Sequence, residues 1–356
     1  MSYPKGLPLH TIWDDIVFLV ESTKDLLSLA LACRTFKELI IPDHLTYRHI
    51  RCDIRRKELW RLLESRPRLA RGIRSVELAE DSTLEDVRLP EAWGNSNFSY
   101  SYRSPITNEN MTLLKNSISH MTSLREFTWT QFPESIHKVI NISDVLTSSA
   151  SRLEGLSIRA YLSPFRSSYL RFEKLSVWTL TSLKKVVIHN PNQAAIRMVL
   201  SCPDIEDLCL WDLPSGCASH LMQNANWKRL RRLSLGTDEI PISTEDLSMW
   251  GVQDKLIKSF LQCLKLTHIF CHFPVTEVDY TSLKWESLGD LCERLSSVRT
   301  LTYLEVDLVR EITNVKLTRD ENGKYTGYQS VSLKEAGGQP QSWTDIFLDL
   351  NPQRYS

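Results

Sequence analysis

One six-residue unit, apolar at its first, fourth and sixth places, recurs along this chain. It reads Tyr47/Ile50/Cys52, Ile73/Val76/Leu78, Leu124/Phe127/Trp129, Leu153/Leu156/Ile158 and Leu183/Val186/Ile188, then Ile205/Leu208/Leu210, Leu230/Leu233/Leu235, Leu266/Ile269/Cys271 and Leu301/Leu304/Val306. Apolar residues two apart point to the same face of a strand, so the fourth and sixth places predict a short strand with one buried face. In a chain that is 42% hydrophobic, such triples also arise by chance, and it is their spacing that carries information. The starts lie 26, 51, 29, 30, 22, 25, 36 and 35 residues apart, and most of these intervals hold one strand plus one helix. Several intervals carry apolar residues at helical spacing, as in "TLLKNSISHM", "QAAIRMVLSC" and "VQDKLIKSFLQCL".

A strand and a helix recurring at such a period are the signature of a leucine-rich-repeat solenoid, in which no repeat is stable alone. The intervals here run longer and less evenly than usual, which makes this an irregular α/β version. An ordinary α/β domain of βα units is the runner-up. The 51-residue interval contains a polar, turn-rich stretch, which predicts a long surface loop near 79–110. Near the end, "ITNVKLTRDENGKYTGYQSVSL" predicts a hairpin turning at Asn322-Gly323, a cap-like unit over 311–356.

The repeats are expected over 46–310, and residues 1–45 are different in kind. Leu7-Pro8 opens the first ordered segment, and Ile12, Ile16 and Leu19 follow at helical spacing. Ser22 and Asp25 stand as a capping box places them, ahead of Leu26, Leu27, Leu29 and Ala30. A third helix is expected from about Arg34 to Ile41, ending before Pro42. Three helices in so few residues bury too little apolar area to be secure alone, so this unit needs a partner surface.

"LPLHTIWDDIVFLV" followed by "DLLSLALACRTFKEL" resembles an F-box, the module that docks a substrate receptor onto the Skp-type adaptor of an SCF ubiquitin ligase. The second stretch matches the family pattern from Asp25-Leu26-Leu27 through Cys33-Arg34 to Phe36 and Leu39. The first is looser, because His10 and Thr11 stand where an acidic and an aliphatic residue are usual. With irregular repeats behind it, the chain is similar to the F-box/leucine-rich-repeat receptors. That resemblance implies a non-catalytic receptor with an adaptor contact through Leu7, Pro8, Ile12, Ile16, Leu26, Leu27, Leu29, Phe36 and Leu39. It also implies a cullin ligase core as assembly partner, and a target protein, of unknown identity, held by the repeats. An ordinary helical cap on the repeats, in a protein-binding scaffold with no ligase role, is the alternative.

Composition narrows the partners. The 43 basic and 43 acidic side chains cancel, which favours neither nucleic acid nor a membrane surface. No run of apolar residues reaches the length of a membrane span, and no signal-peptide pattern opens the chain. Eight cysteines at irregular spacing, without a Cys-x-x-Cys pair, read as reduced thiols in the cytoplasm or nucleus. Phosphate-binding glycine loops, His-Glu-x-x-His and Gly-x-Ser-x-Gly are absent from the sequence. Asp14 and Asp15 are adjacent and do not face each other on a helix. Cys202, Cys209, Cys217 and His220 are spaced too loosely for a zinc site. No catalytic residue, metal or cofactor is expected.

Two binding candidates remain. The stretch from Arg48 to Arg74 holds ten Arg or Lys against three acids: Arg48, Arg51, Arg55, Arg56, Lys57, Arg61, Arg66, Arg68, Arg71 and Arg74, with Asp53, Glu58 and Glu64. It reads first as a solvated helix with Leu59, Trp60, Leu62 and Leu63 inward, and second as a site for an acidic or phosphorylated ligand. The other candidate is the strand face between the apolar places, the surface a solenoid uses for binding. There the frame puts Arg159, Lys185, His189, Asp207, Trp211, Arg232, His268, Phe270, His272, Tyr303 and Glu305. Trp211, Phe270 and Tyr303 are large for an exposed face, which fits either a contact surface or packing between strands.

Overall fold

The computed structural model describes residues 16–20, 22–45, 47–79, 106–131, 140–146, 152–160, 182–211, 227–236, 268–273, 299–308 and 311–330, with Trp13 and a few other isolated positions. Leu7, Pro8, Ile12, most of the loop expected near 79–110 and the tail after Ser330 lie outside the described residues. The chain is an α/β protein that divides into two compact units, one of 1–155 and 160–170, the other of 156–159 and 171–356.

In the first unit, residues 16–19 are helical, followed by α1 (Thr23–Ala32) and α2 (Arg34–Leu39). Ser22 caps α1, its hydroxyl accepting from the Asp25 N–H at 3.2 Å. Cys33, in extended conformation, separates the two helices. The chain does not stop helically before Pro42, as the sequence predicts; a π-helical turn spans Ile40–Leu45. Proline removes an N–H and crowds the preceding turn, and the wider π turn relieves that crowding. Val17, Leu26, Ala30 and Ile40 form a small core, with Val20, Leu29, Phe36, Leu39, Ile41 and Leu45 packed around it.

The ladder of this unit is parallel: β1 (His49–Cys52), β2 (Ser75–Leu78) and β3 (Glu126–Gln131). Its register aligns Ile50 with Val76 and Phe127, and Cys52 with Leu78 and Trp129, which are the fourth and sixth places of the repeating unit. The first-place residues Tyr47, Ile73, Leu124 and Leu153 are buried as well. Each rung begins alike. The Arg48 carbonyl accepts from the N–H groups of Arg74 (2.9 Å) and Ser75 (3.3 Å), and the Arg74 carbonyl from those of Arg125 (2.8 Å) and Glu126 (3.0 Å). The helices between strands are α3 (Lys57–Ser65), α4 (Pro67–Arg71) and α5 (Asn108–His120). Thr107 and Asn110 close a capping box on α5. Trp60, fully buried, donates its indole N–H to the Ile54 carbonyl at 2.9 Å, and Ser117 Oγ donates to the Trp60 carbonyl at 2.8 Å.

The second unit repeats the plan. Strands β5 (Lys185–His189), β6 (Asp207–Trp211), β7 (Arg232–Gly236), β8 (His268–Phe273) and β9 (Tyr303–Leu308) run parallel in that order; the division between units falls in β4 (Gly155–Ala160). The fourth places Val186, Leu208, Leu233, Ile269 and Leu304 align, and so do the sixth places Ile188, Leu210, Leu235, Cys271 and Val306. The rung pattern recurs, with the Lys184 carbonyl accepting from Glu206 and Asp207 and the Glu206 carbonyl from Arg231 and Arg232. One interval helix, α6 (Gln193–Leu200), is described here, and the Asn192 side chain caps it. The helix expected in "VQDKLIKSFLQCL" lies outside the described residues. The expected hairpin is present: β10 (Glu311–Arg319) runs antiparallel to β9, and β11 (Tyr325–Ser330) antiparallel to β10. Asp320 organises its turn by accepting from the N–H groups of Asn322 and Lys324, and Gly323 supplies the positive φ of 76°.

Candidate functional site

Five large hydrophobic side chains stand exposed among the described residues, and four of them are in the N-terminal helices: Ile16 (41%), Leu19 (73%), Leu27 (47%) and Leu31 (73%). Leu27 and Leu31 are one helical turn apart on α1, and Ile16 and Leu19 share a face of the first segment. Beside Leu31 lies an open groove of about 710 Å³ whose walls include Ala30, Cys33, Arg34, Lys37 and Ile41. Cys33 is an exposed free thiol there. Arg34 and Glu38 pair across one helical turn at 2.8 Å, leaving the Lys37 side chain exposed between them in sequence.

The residues expected to touch an adaptor separate into two groups. Ile16 and Leu27 are on the surface. Leu26 is fully buried, and Leu29, Phe36 and Leu39 are packed around the same small core, so they hold the helices together. Phe36 meets the Trp13 ring edge-on, with centroids 4.9 Å apart. Leu19 and Leu31 take the surface places that sequence reasoning missed. Their signal was available, because Leu31 follows Leu27 by four residues.

On the strand face of the second unit, register gathers Lys185, Asp207, Arg232, His268 and Tyr303 into one row. Asp207 and Arg232 grip each other in a two-pronged ion pair, so each answers the other's charge. Lys185 is exposed. Arg159 is half-buried and donates to the Ser157 hydroxyl at 3.1 Å. His189, expected on an open face, is buried, as are Val187, Cys209 and Ser234 between the apolar places. The face is closed at these four places, while Lys185 at the start of β5 and Glu126 on β3 stay exposed. Trp211 aligns with His189, and Phe270 with Glu305; His272 follows on β8. The side chains of Trp211, His268, Phe270, His272, Tyr303 and Glu305 lie outside the described positions.

The basic stretch is largely engaged within the protein. Leu59, Trp60 and Leu63 are buried, as expected. Arg55 forms a buried ion pair with Asp53 at 2.5 Å, Arg51 meets Glu77 at 3.3 Å, and Lys57 and Arg61 meet Glu109 of α5. The hydrogen bond from Lys57, with help from Arg61, holds the Glu109 carboxyl below its ordinary range. Arg48, Arg71 and Arg74 contact the first helical segment.

Burial pushes the Cys202 and Cys292 thiols up to about 11, which leaves them protonated and unreactive near neutral pH. Among the described residues, no group of three His, Cys, Asp or Glu side chains is placed to hold a metal ion, and no helix is long and apolar enough to cross a membrane. Comparison with family models and with curated proteins gave no match.

Proposed function

We propose that this chain is a non-catalytic receptor: its N-terminal helices dock on a partner protein and its strand ladder holds a second one. The observation that carries the reading is the concentration of exposed leucine and isoleucine on the helices of residues 16–32, while the leucines and isoleucines described at the first, fourth and sixth places of the ladder are buried. Exposed apolar groups clustered on one small element mark an interaction surface. The resemblance to an F-box names that partner as a Skp-type adaptor, and through it the cullin core of an SCF-type ubiquitin ligase in the cytoplasm or nucleus. The aligned hexads support an irregular leucine-rich-repeat solenoid as the target-holding part. Ubiquitin transfer would then be accelerated by proximity alone.

The test is co-expression with a Skp-type adaptor and size-exclusion chromatography of the native chain and of Leu27→Lys/Leu31→Lys. Co-elution with the native chain, lost in the variant while circular dichroism is unchanged, supports the receptor. A well-folded native chain that elutes alone leaves the scaffold reading, in which the helices only cap the ladder. The contacts between the basic stretch and the first helical segment favour that rival, and the same experiment separates the two.

A further inference from the structure

Arg48, Arg71 and Arg74 converge on the end of the first helical segment. Arg74 Nη2 donates to the Phe18 carbonyl at 3.1 Å, Arg48 donates to the Val20 carbonyl, and the Arg71 guanidinium carbon lies 4.3 Å from the centre of the Phe18 ring. The helical segment ends at residue 19, so the Phe18 and Val20 carbonyls lie at the negative end of the helix dipole, where last-turn carbonyls look outside the helix for donors. Three cations are suited to that place. Arg48 is only 2% exposed, and a charge so withdrawn from water requires such partners.

The same residues have a second task. The main-chain carbonyls of Arg48 and Arg74 open successive rungs, toward β2 and toward β3. With its side chain each holds the helices, and with its backbone each holds the ladder. We infer that Arg48, Arg71 and Arg74 form a positioning clamp that fixes the helical module to the first rungs as one body. The module is then no freely swinging handle, and the direction in which Leu27 and Leu31 present themselves is set by β1–β3. The clamp goes beyond the receptor reading and stands whether or not an adaptor binds. It also gives part of the basic surplus an internal role, in place of an external anion.

Hydrogen exchange followed by mass spectrometry on the full chain tests it. The comparison is between native protein, Arg71→Leu/Arg74→Leu, and Arg68→Leu, a matched loss of charge at an exposed position. Exchange within 16–20 and 23–32 should quicken roughly tenfold in the double variant, while 108–120 and 126–131 keep native rates and Arg68→Leu behaves as native. Unchanged protection of 16–32 in the double variant overturns the clamp. If that variant loses protection through 108–131 as well, it has unfolded, and Arg71→Leu alone decides. Loss of the ring contact should raise exchange at 16–20 about threefold, and no change there overturns the proposal.

Discussion

The ladder and the N-terminal helices use the same residue type in opposite ways. Ile73, Leu124 and Leu153 in the first unit and Leu183, Ile205, Leu230 and Leu301 in the second start rungs and are at most 1% exposed, whereas Leu19 and Leu31 stand 73% exposed on the helices. The ladder repeats, so each rung buries its apolar residues against the next. The helical module is a single layer with a core of four buried residues, too thin to cover its own outer face. Stacked strands can hide their leucine against one another; one small bundle cannot. The surplus becomes a surface available to a partner.

Substitutions can break that contrast, and the largest effects on stability belong to the ladder unit. Trp60→Ala removes a fully buried ring and leaves the Ile54 carbonyl with a poorer donor, the Asn110 amide at 3.5 Å. A loss of about 3–5 kcal/mol is expected in chemical denaturation. Arg55→Met takes the guanidinium away from a buried Asp53 carboxylate, which keeps the N–H of residue 55, and should cost about 3 kcal/mol, whereas Asp53→Asn/Arg55→Met should recover much of that loss. A smaller effect follows pH. The folded chain keeps the Cys202 proton to about 11, and the unfolded chain gives it up near 9.0. The folded state therefore binds the extra proton in that window, so its contribution is complete below pH 9.0 and lost as pH rises toward 11. The denaturation midpoint should fall more steeply over that window in native protein than in Cys202→Val.

On the module the expected stability changes are small. Leu31→Lys should shift stability by less than about 0.5 kcal/mol, because the side chain is already in water, yet it should abolish adaptor binding. Arg34→Ala removes an exposed pair with Glu38 and should cost about 0.3–0.5 kcal/mol in thermal melts.

Much of the ladder was legible because period and burial coincide there. Fourth and sixth places of the hexad are the places that align, the described first, fourth and sixth places are buried, and the Asn322-Gly323 turn is where its composition put it. What sequence could not separate was inside from outside on short helices. Leu26 and Leu27 are neighbours in one apolar run, and only packing against Val17 and Ile40 makes the first core and the second surface. Phe36 matched the family pattern, but its ring is spent on Trp13. The strand face misled for another reason. The frame of the hexad put His189 on an open face, yet it is buried together with Val187, Cys209 and Ser234, while Lys185 of the same strand is exposed. The basic stretch was ambiguous because charge counts do not reveal partners: Glu109 lies 52 residues from Lys57, and Phe18 lies 56 from Arg74.

The most direct measurement of the central claim is the alkylation rate of Cys33 in the full chain, read by mass spectrometry with and without a Skp-type adaptor. Cys33 is exposed beside Leu31, while Cys52, Cys202, Cys209 and Cys292 are buried and serve as silent controls. Adaptor should slow the labelling of Cys33 at least about tenfold in the native chain and leave it unchanged in Leu27→Lys/Leu31→Lys. Labelling at the same rate with saturating adaptor, in a chain whose buried thiols stay silent, would contradict the claim that this helical face is the docking surface.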